Sequence, residues 1–203
     1  MITLEIQRYA VEEYLERERH SDVRHEFLGG EIRSMTGGSS NHSLISVNVV
    51  ADLRSQLKSC GCRVYNNDMR IKCRTGLYTY PDASVVCGTP EFENDRNDTL
   101  LNPVAIFEVL SPSTQAYDRG DKFSHYRTIP SLKEYVLISQ DWPLVEHHIR
   151  DDSGKWTLFT TTDRAGSVQL AATRVELPMP EIYYGIEFAA DPHDHGTNGA
   201  HKS

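Results

Sequence analysis

The run Val104-Ala-Ile-Phe-Glu108-Val-Leu110 constrains this chain more than any other stretch. Six of its seven residues are apolar, so it reads as a central strand covered on both faces. One residue breaks the pattern. A carboxylate within such a run is expensive to desolvate unless it meets a cation, a metal or strong hydrogen bonds. Glu108 therefore demands a partner, and the rest of the chain has to supply it.

The surrounding pattern predicts an α/β chain of mixed α+β type, with a mixed central β-sheet flanked by helices. Apolar positions at Tyr9, Val11, Tyr14 and Leu15 predict an amphipathic helix over residues 8–19. Residues 25–28 and 31–35, joined by Gly29-Gly30, predict an N-terminal hairpin. Residues 37–41 offer caps for a longer helix, which carries Leu44, Ile45, Val47, Val49, Val50, Leu53 and Leu57 toward the core and stops at Gly61. Strands are expected at 63–66, 69–74, 82–87 and 104–110. Ser111-Pro112-Ser113 then interrupts the chain. Asp118 looks like the N-cap of a helix that carries Lys122, Phe123 and Tyr126 and ends before Pro130. Residues 133–139 return as a strand. A C-terminal antiparallel meander is expected over 145–150, 156–162, 168–171 and 175–177, before a short helical turn at 178–184. Residues 1–190 are expected to form one domain, with 191–203, poor in apolar residues, a disordered tail.

The chain has 203 residues, enough to bury a sizeable core. No apolar run approaches the length of a bilayer span, and no signal peptide is recognisable at the N-terminus, so a cytoplasmic protein without membrane association is expected. Cys60, Cys62, Cys73 and Cys87 lack zinc-site spacing and read as reduced structural thiols. The net charge of −8 disfavours tight, nonspecific binding to duplex nucleic acid. Arg63, Arg70, Lys72 and Arg74 still offer a local basic strip, because most of the acid lies elsewhere.

Asp82, at the entrance of a predicted strand, and Glu108 can point into one cleft if their strands are neighbours. Two carboxylates there would repel each other, and a divalent cation removes that penalty. Oxygen donors of this kind suit Mg²⁺ or Mn²⁺. Lys122 could approach from its helix and polarise a bound water or a phosphate. Together these are the parts of metal-assisted phosphodiester hydrolysis. The competing reading is a buried ion pair between Glu108 and Lys122.

Pro81-Asp82 with its apolar run, Phe107-Glu108-Val-Leu-Ser-Pro-Ser113, Tyr117-Asp118-Arg119, Lys122, Tyr126 and Pro130-Ser-Leu-Lys-Glu-Tyr135 together resemble the Uma2 family. The resemblance covers residues 8–139 and is most specific from Glu108 to Tyr135. It implies a PD-(D/E)XK, restriction-endonuclease-like core, Asp82 and Glu108 as metal ligands, and a catalytic lysine. The general pattern places that lysine two residues after the glutamate, where this chain has Leu110; Lys122 is the substitute on the next helix. The backbone carbonyl of Val109 is a further candidate ligand. Glu26 matches a recurrent glutamate of the family and is an accessory candidate.

His42, near a helix start, is another accessory candidate, against a capping or solvated role. Arg119 and Tyr126 lie three before and four after Lys122, on its helical face, and could bind phosphate or frame the lysine. His147 and His148 are adjacent on a strand, point to opposite faces, and suit joint ligation poorly. No Gly-rich phosphate loop or nucleophile elbow is present. The expected function is a Mg²⁺- or Mn²⁺-dependent endonuclease acting on nucleic acid, DNA first, as a homodimer. The rival is a noncatalytic binding or assembly module that keeps the fold.

Overall fold

The computed structural model of the chain describes residues 7–35 and 37–188. Helix α1, Val11–Arg19, begins later than expected, with the Ala10 N–H donating to the Glu13 carboxylate at 2.8 Å. Strands β1 (His25–Leu28) and β2 (Glu31–Ser34) form the hairpin, turning at Gly29 and Gly30 with φ of 60° and 92°. Those left-handed values are what two adjacent glycines allow without strain. Helix α2, Ser40–Leu57, opens on Ser39, whose hydroxyl accepts the His42 N–H. Its buried stripe is narrower than predicted. Ile45, Val49, Leu53 and Leu57, each four residues apart, are buried, whereas Leu44 and Val47 are exposed.

Strands β3 (Cys62–Asn66), β4 (Arg70–Lys72), β5 (Tyr78–Thr79), β6 (Ala83–Cys87), β7 (Thr99–Leu100) and β8 (Ala105–Leu110) follow. Two residues are too few to show alternation, so β5 and β7 have no counterpart among the expected strands. A helical passage comes next in three parts: α3 (Gln115–Tyr117), a π-helical turn (Asp118–Lys122) and α4 (Phe123–Tyr126). Asp118 is therefore not an N-cap. It lies inside the helical passage, buried, with its side chain turned toward Lys122. The chain ends its described course with β9 (Glu134–Ser139), β10 (Val145–Arg150), β11 (Trp156–Thr161), β12 (Ser167–Leu170), β13 (Val175–Pro178) and α5 (Met179–Ile182).

These strands make two mixed sheets in place of the single central one expected. The larger has the order β11-β10-β9-β8-β6-β3, with β8 and β9 parallel and the other pairs antiparallel. The second has the order β2-β1-β5-β4-β7, with β4 and β7 parallel. The C-terminal meander does not form as one unit. β10 and β11 extend the large sheet, while among the described residues β12 and β13 pair only with each other. The parallel step from β8 to β9 requires a crossover, and the helical passage provides it.

Both faces of the large sheet are covered, as the uninterrupted burial of β8 and β9 requires. On one face Phe107, Val109, Val136 and Ile138 pack with the α2 stripe and with β12 and β13. On the other, Ile106, Leu110, Tyr135 and Leu137 pack with Phe123 and Tyr126 of α4 and with Ile71, Leu77 and Leu100 around the second sheet. By alternation Glu108 belongs to this second face, between the large sheet and the helical passage.

The expectation of four reduced thiols fails at one pair. Cys62 and Cys87 stand directly opposite in the β3–β6 register and are joined by a disulfide, while Cys60 and Cys73 are free. Strand register decides this pairing, and spacing along the sequence does not reveal it. Among the described residues no helix is long and apolar enough to cross a membrane. The tail expected from residue 191 lies outside the described residues.

Candidate functional site

Asp82 immediately precedes β6, whose pairing with β8 ends at Ala83 opposite Phe107. One step further, β8 has no strand neighbour on that side, and the Asp82 carboxylate fills the gap. Its Oδ2 accepts the Val109 N–H at 2.7 Å. In an extended strand the N–H and C=O of one residue point to the same side, so the Val109 carbonyl faces this gap too. His42, in the first turn of α2, brings Nε2 to 3.4 Å from the same Asp82 oxygen. The Gly38 backbone runs so close that a Cβ there would stand 2.7 Å from the His42 ring.

Glu108 answers its demand for a partner twice over. Lys122 Nζ lies 2.9 Å from Glu108 Oε1, and the Tyr126 hydroxyl donates to the same oxygen at 2.7 Å. The Lys122 ammonium also lies 3.3 Å from Glu26 Oε1 and 3.5 Å from Asp118 Oδ1. Glu26 comes from β1 of the second sheet, where the Thr79 hydroxyl of β5 donates to it. Tyr117 and Tyr126 place their rings 6.0 and 5.9 Å from the ammonium. One cation is thus surrounded by three carboxylates and two aromatic rings.

The electrostatics follow from this crowding. Burial pushes the Glu108 carboxyl up to about 8; Lys122 opposes that rise, while Asp118 and Asp82 add to it. For Lys122, burial works against the charge, yet Glu108, Glu26 and Asp118 outweigh it and hold the ammonium well above its ordinary range. Tyr126 stays a hydroxyl donor, because burial and the Glu108 charge push its ionisation far up.

Of the residues singled out in the sequence, Glu26, Glu108, Lys122 and Tyr126 are joined in one contact network, and Asp82, Val109 and His42 adjoin it through the β6–β8 gap. Arg119 is the exception. Its guanidinium pairs with Glu146 of β10 at 2.6 Å and with Gln115, away from Lys122. A π turn is wider than an α turn, so a residue three positions back is rotated off the shared face. Asp118, Thr79 and Tyr117 were missed as site residues. Asp118 carried a signal, an acid four residues before Lys122, but it had been assigned to a cap. Thr79 carries none, and Tyr117 is marked only by the Tyr117-Asp118-Arg119 motif of the family resemblance.

Only half of the basic strip stays on the surface, where Arg63 and Arg74 are exposed. Arg70 is buried, donates to Thr99 and Tyr80 and pairs with Asp98 at 3.2 Å, while Lys72 pairs with Glu93. His147 and His148 point to opposite faces, the first 3.5 Å from Glu134 and the second against Phe123. No group of three or more His, Cys, Asp or Glu side chains among the described residues is arranged to hold a metal ion. Any cation here would rest on two carboxylates, with backbone and water completing its shell.

Residues 11–180 match the model of the Uma2 family, described as "Putative restriction endonuclease". The uncharacterized protein slr1290 of Synechocystis is 36% identical over 182 residues, covering 87% of this chain and 92% of its own. A second uncharacterized Synechocystis protein, sll1609, is 36% identical over 147 residues, covering 72% of this chain and 83% of its own. The crystal structure described as a putative nuclease belonging to DUF820, from Anabaena variabilis, aligns with a TM-score of 0.67 at 18% identity. It covers 80% of this chain and 90% of that one. At that identity it speaks for the fold, which it shares over most of both chains. With a family match across both sheets and the whole Asp82–Lys122 region, the chain belongs to the Uma2 family.

Proposed function

We propose that the chain is a Mg²⁺- or Mn²⁺-dependent nuclease that hydrolyses phosphodiester bonds, in DNA first, on a restriction-endonuclease-like core. The observation that carries this reading is Asp82 bound through Oδ2 to the N–H of Val109, the residue next to Glu108, with its charge acting on the Glu108 carboxyl and Lys122 2.9 Å from Glu108. The donor chemistry fits a hard divalent ion. The contacts made to Glu108 fall on Oε1 and those made to Asp82 on Oδ2, so each carboxylate keeps a second oxygen to offer. Two carboxylates, one backbone carbonyl and water form the oxygen-rich, incomplete protein shell that magnesium accepts.

Asp82, Glu108 and the Val109 carbonyl would hold the ion. When bound, it supplies the Lewis acidity that phosphodiester hydrolysis needs. The chain's own residues set up the rest. Tyr126 and Lys122 fix Glu108 Oε1 and so orient the whole carboxylate. Lys122, held charged by three carboxylates, would offer positive charge to the phosphate oxygens on which negative charge develops. His42 brings its Nε2 to 3.4 Å from Asp82 Oδ2 at the mouth of the gap and helps to orient that carboxylate. The test is incubation of the purified protein with plasmid, single-stranded DNA and RNA in Mg²⁺ or Mn²⁺. Cleavage is expected for the native chain and lost in Asp82→Ala and Lys122→Ala; cleavage that persists in either variant refutes the assignment.

A second reading rests on a specific contact. The Glu108–Lys122 ion pair already satisfies both groups, and Leu110 occupies the position where the general motif has its lysine. On that reading the chain is a noncatalytic nucleic-acid-binding or assembly module that retains the fold. Calorimetry separates the two: a folded protein that gives no heat with Mn²⁺ favours the module.

A further inference from the structure

Among the described residues β11 is a free edge of the large sheet. From Trp156 to Thr162 it and its flank carry seven uncharged residues, bounded by Lys155 and Asp163. Leu158 and Phe159 alternate in direction along this strand and are 48% and 53% exposed. An unprotected edge of this kind is a template for another strand, and proteins usually blunt it with charge or brevity. The other free edges of the two large sheets are blunted in that way. β2 carries Glu31 and Arg33, β3 carries Arg63, and β7 has two residues. We propose that β11 pairs with β11 of a second copy of this chain, antiparallel, about a two-fold axis through Phe159.

Backbone geometry restricts the register. The Asp151 N–H donates to the Lys155 carbonyl at 2.9 Å, and β10 pairs Ile149 with Thr157 and His147 with Phe159. Hydrogen-bonded pairs alternate along an antiparallel ladder, so Thr157, Phe159 and Thr161 face β10. The N–H and C=O groups of Trp156, Leu158 and Thr160 therefore point out from the edge. A two-fold pairing has to set outward residues against outward residues, which puts the axis through a residue and not between two. Centred on Phe159, Leu158 faces the partner's Thr160, Trp156 faces the partner's Thr162, and Lys155 faces the partner's Asp163, each twice by symmetry. Centring on Leu158 would set Lys155 against Thr161 and Asp163 against Ser153, and both ion pairs would be lost. Both charged residues are exposed, and although Asp163 Oδ1 accepts the Ala165 N–H at 2.9 Å, its Oδ2 is left to meet a lysine. At the axis the two Phe159 rings form a narrow, non-hydrogen-bonded pair, the kind in which side chains approach most closely.

A single strand pairing buries less than the roughly 1,200 Å² of a standard interface, so the dimer is dependent on concentration. β8 is the third strand in from β11, so the two Glu108 residues stand seven strand steps, about 34 Å, apart on the same face of the joined sheet. Each copy keeps a complete site, and metal binding per chain does not depend on pairing.

Sedimentation of the full chain across the micromolar range tests this. Its mass is expected to rise toward twice that of one chain, while Phe159→Lys stays monomeric throughout. Lys155→Asp and Asp163→Lys each weaken association several-fold, and the double exchange restores it. In a Cys60→Ser background, mild oxidation is expected to link Phe159→Cys into a covalent dimer and to leave Thr157→Cys unlinked. A native chain that is monomeric at every concentration, a dimer that survives Phe159→Lys, or cross-linking at Thr157→Cys in preference to Phe159→Cys overturns the proposal.

Discussion

Asp82 Oδ2 accepts the Val109 N–H at 2.7 Å, so a side chain occupies a ladder position that β6, beginning one residue later, leaves open. This bond separates the structural part of Asp82 from its proposed ligand role. Asparagine offers an oxygen at the same place, and Asp82→Asn is expected to change stability by no more than about 1 kcal/mol. Asp82→Ala leaves the Val109 N–H without its acceptor and costs about 1–3 kcal/mol. Both variants are expected to weaken Mn²⁺ binding at least about tenfold in calorimetry, roughly 1.4 kcal/mol. Native affinity in a folded Asp82→Asn protein would remove this residue from the ligand set.

Lys122 neutralises three buried or nearly buried carboxylates, and its loss is more damaging than the loss of any one of them. Lys122→Met leaves Glu108, Glu26 and Asp118 facing one another without a cation. Breaking a buried pair in this way costs about 3–5 kcal/mol. Glu108→Gln leaves Lys122 its contacts with Glu26 and Asp118, at 3.3 and 3.5 Å, and is expected to cost clearly less. Combining Lys122→Met with Glu108→Gln should recover part of the loss. Urea unfolding of the four proteins, with unchanged m-values, checks the order. Equal midpoints for Lys122→Met and Glu108→Gln would mean that the outer carboxylates contribute nothing.

The sequence announced the elements whose physics is local. β8 showed itself through an apolar run, the first hairpin through Gly29-Gly30, and Glu108 through the conflict between its charge and its surroundings. What escaped was set by distant register. Thr79 reaches Glu26 because β5 pairs with β1, and no pattern around Thr79 encodes that pairing. The second sheet is built largely from strands of two to four residues, too short to show a period. Asp118 was misassigned because an acid at the front of a helix has two uses, capping and pairing with a lysine four residues on. Arg119 was misplaced because a π turn leaves no mark in the sequence.

The two classes of cysteine should respond differently to reagents. Cys60 is exposed and should react with an alkylating agent in the native protein. Cys73 is buried, and burial pushes its thiol up to about 12, so it should react only on unfolding. The Cys62–Cys87 bond closes a loop with a sequence separation of 25. In the chain-entropy picture a loop of that size contributes roughly 2–4 kcal/mol. The paired Cys62→Ser and Cys87→Ser variant is expected to lose that much in urea unfolding under nonreducing conditions. More than one rapidly labelled thiol in the freshly purified native chain, up to three if both Cys62 and Cys87 react beside Cys60, would point to that bond being reduced.

His148 makes stability depend on pH in a direction its surroundings dictate. The ring lies 4.3 Å from the Phe123 ring and packs near Tyr135, half-buried on the face of β10 opposite His147. Burial lowers its basicity from the ordinary 6.5, with His147 and Arg127 acting in the same direction and Glu146 opposing them. The unfolded chain therefore takes up this proton more readily than the folded one. The contribution is complete above the unfolded value and is lost as pH falls toward and through the folded one. Urea unfolding at pH about 7.5 and about 5.5 should show the native chain losing stability on acidification. His148→Phe keeps an aromatic ring against Phe123 but carries no proton, and it should lose less over the same interval. Equal losses in the two proteins would show that His148 titrates alike in the folded and unfolded chains.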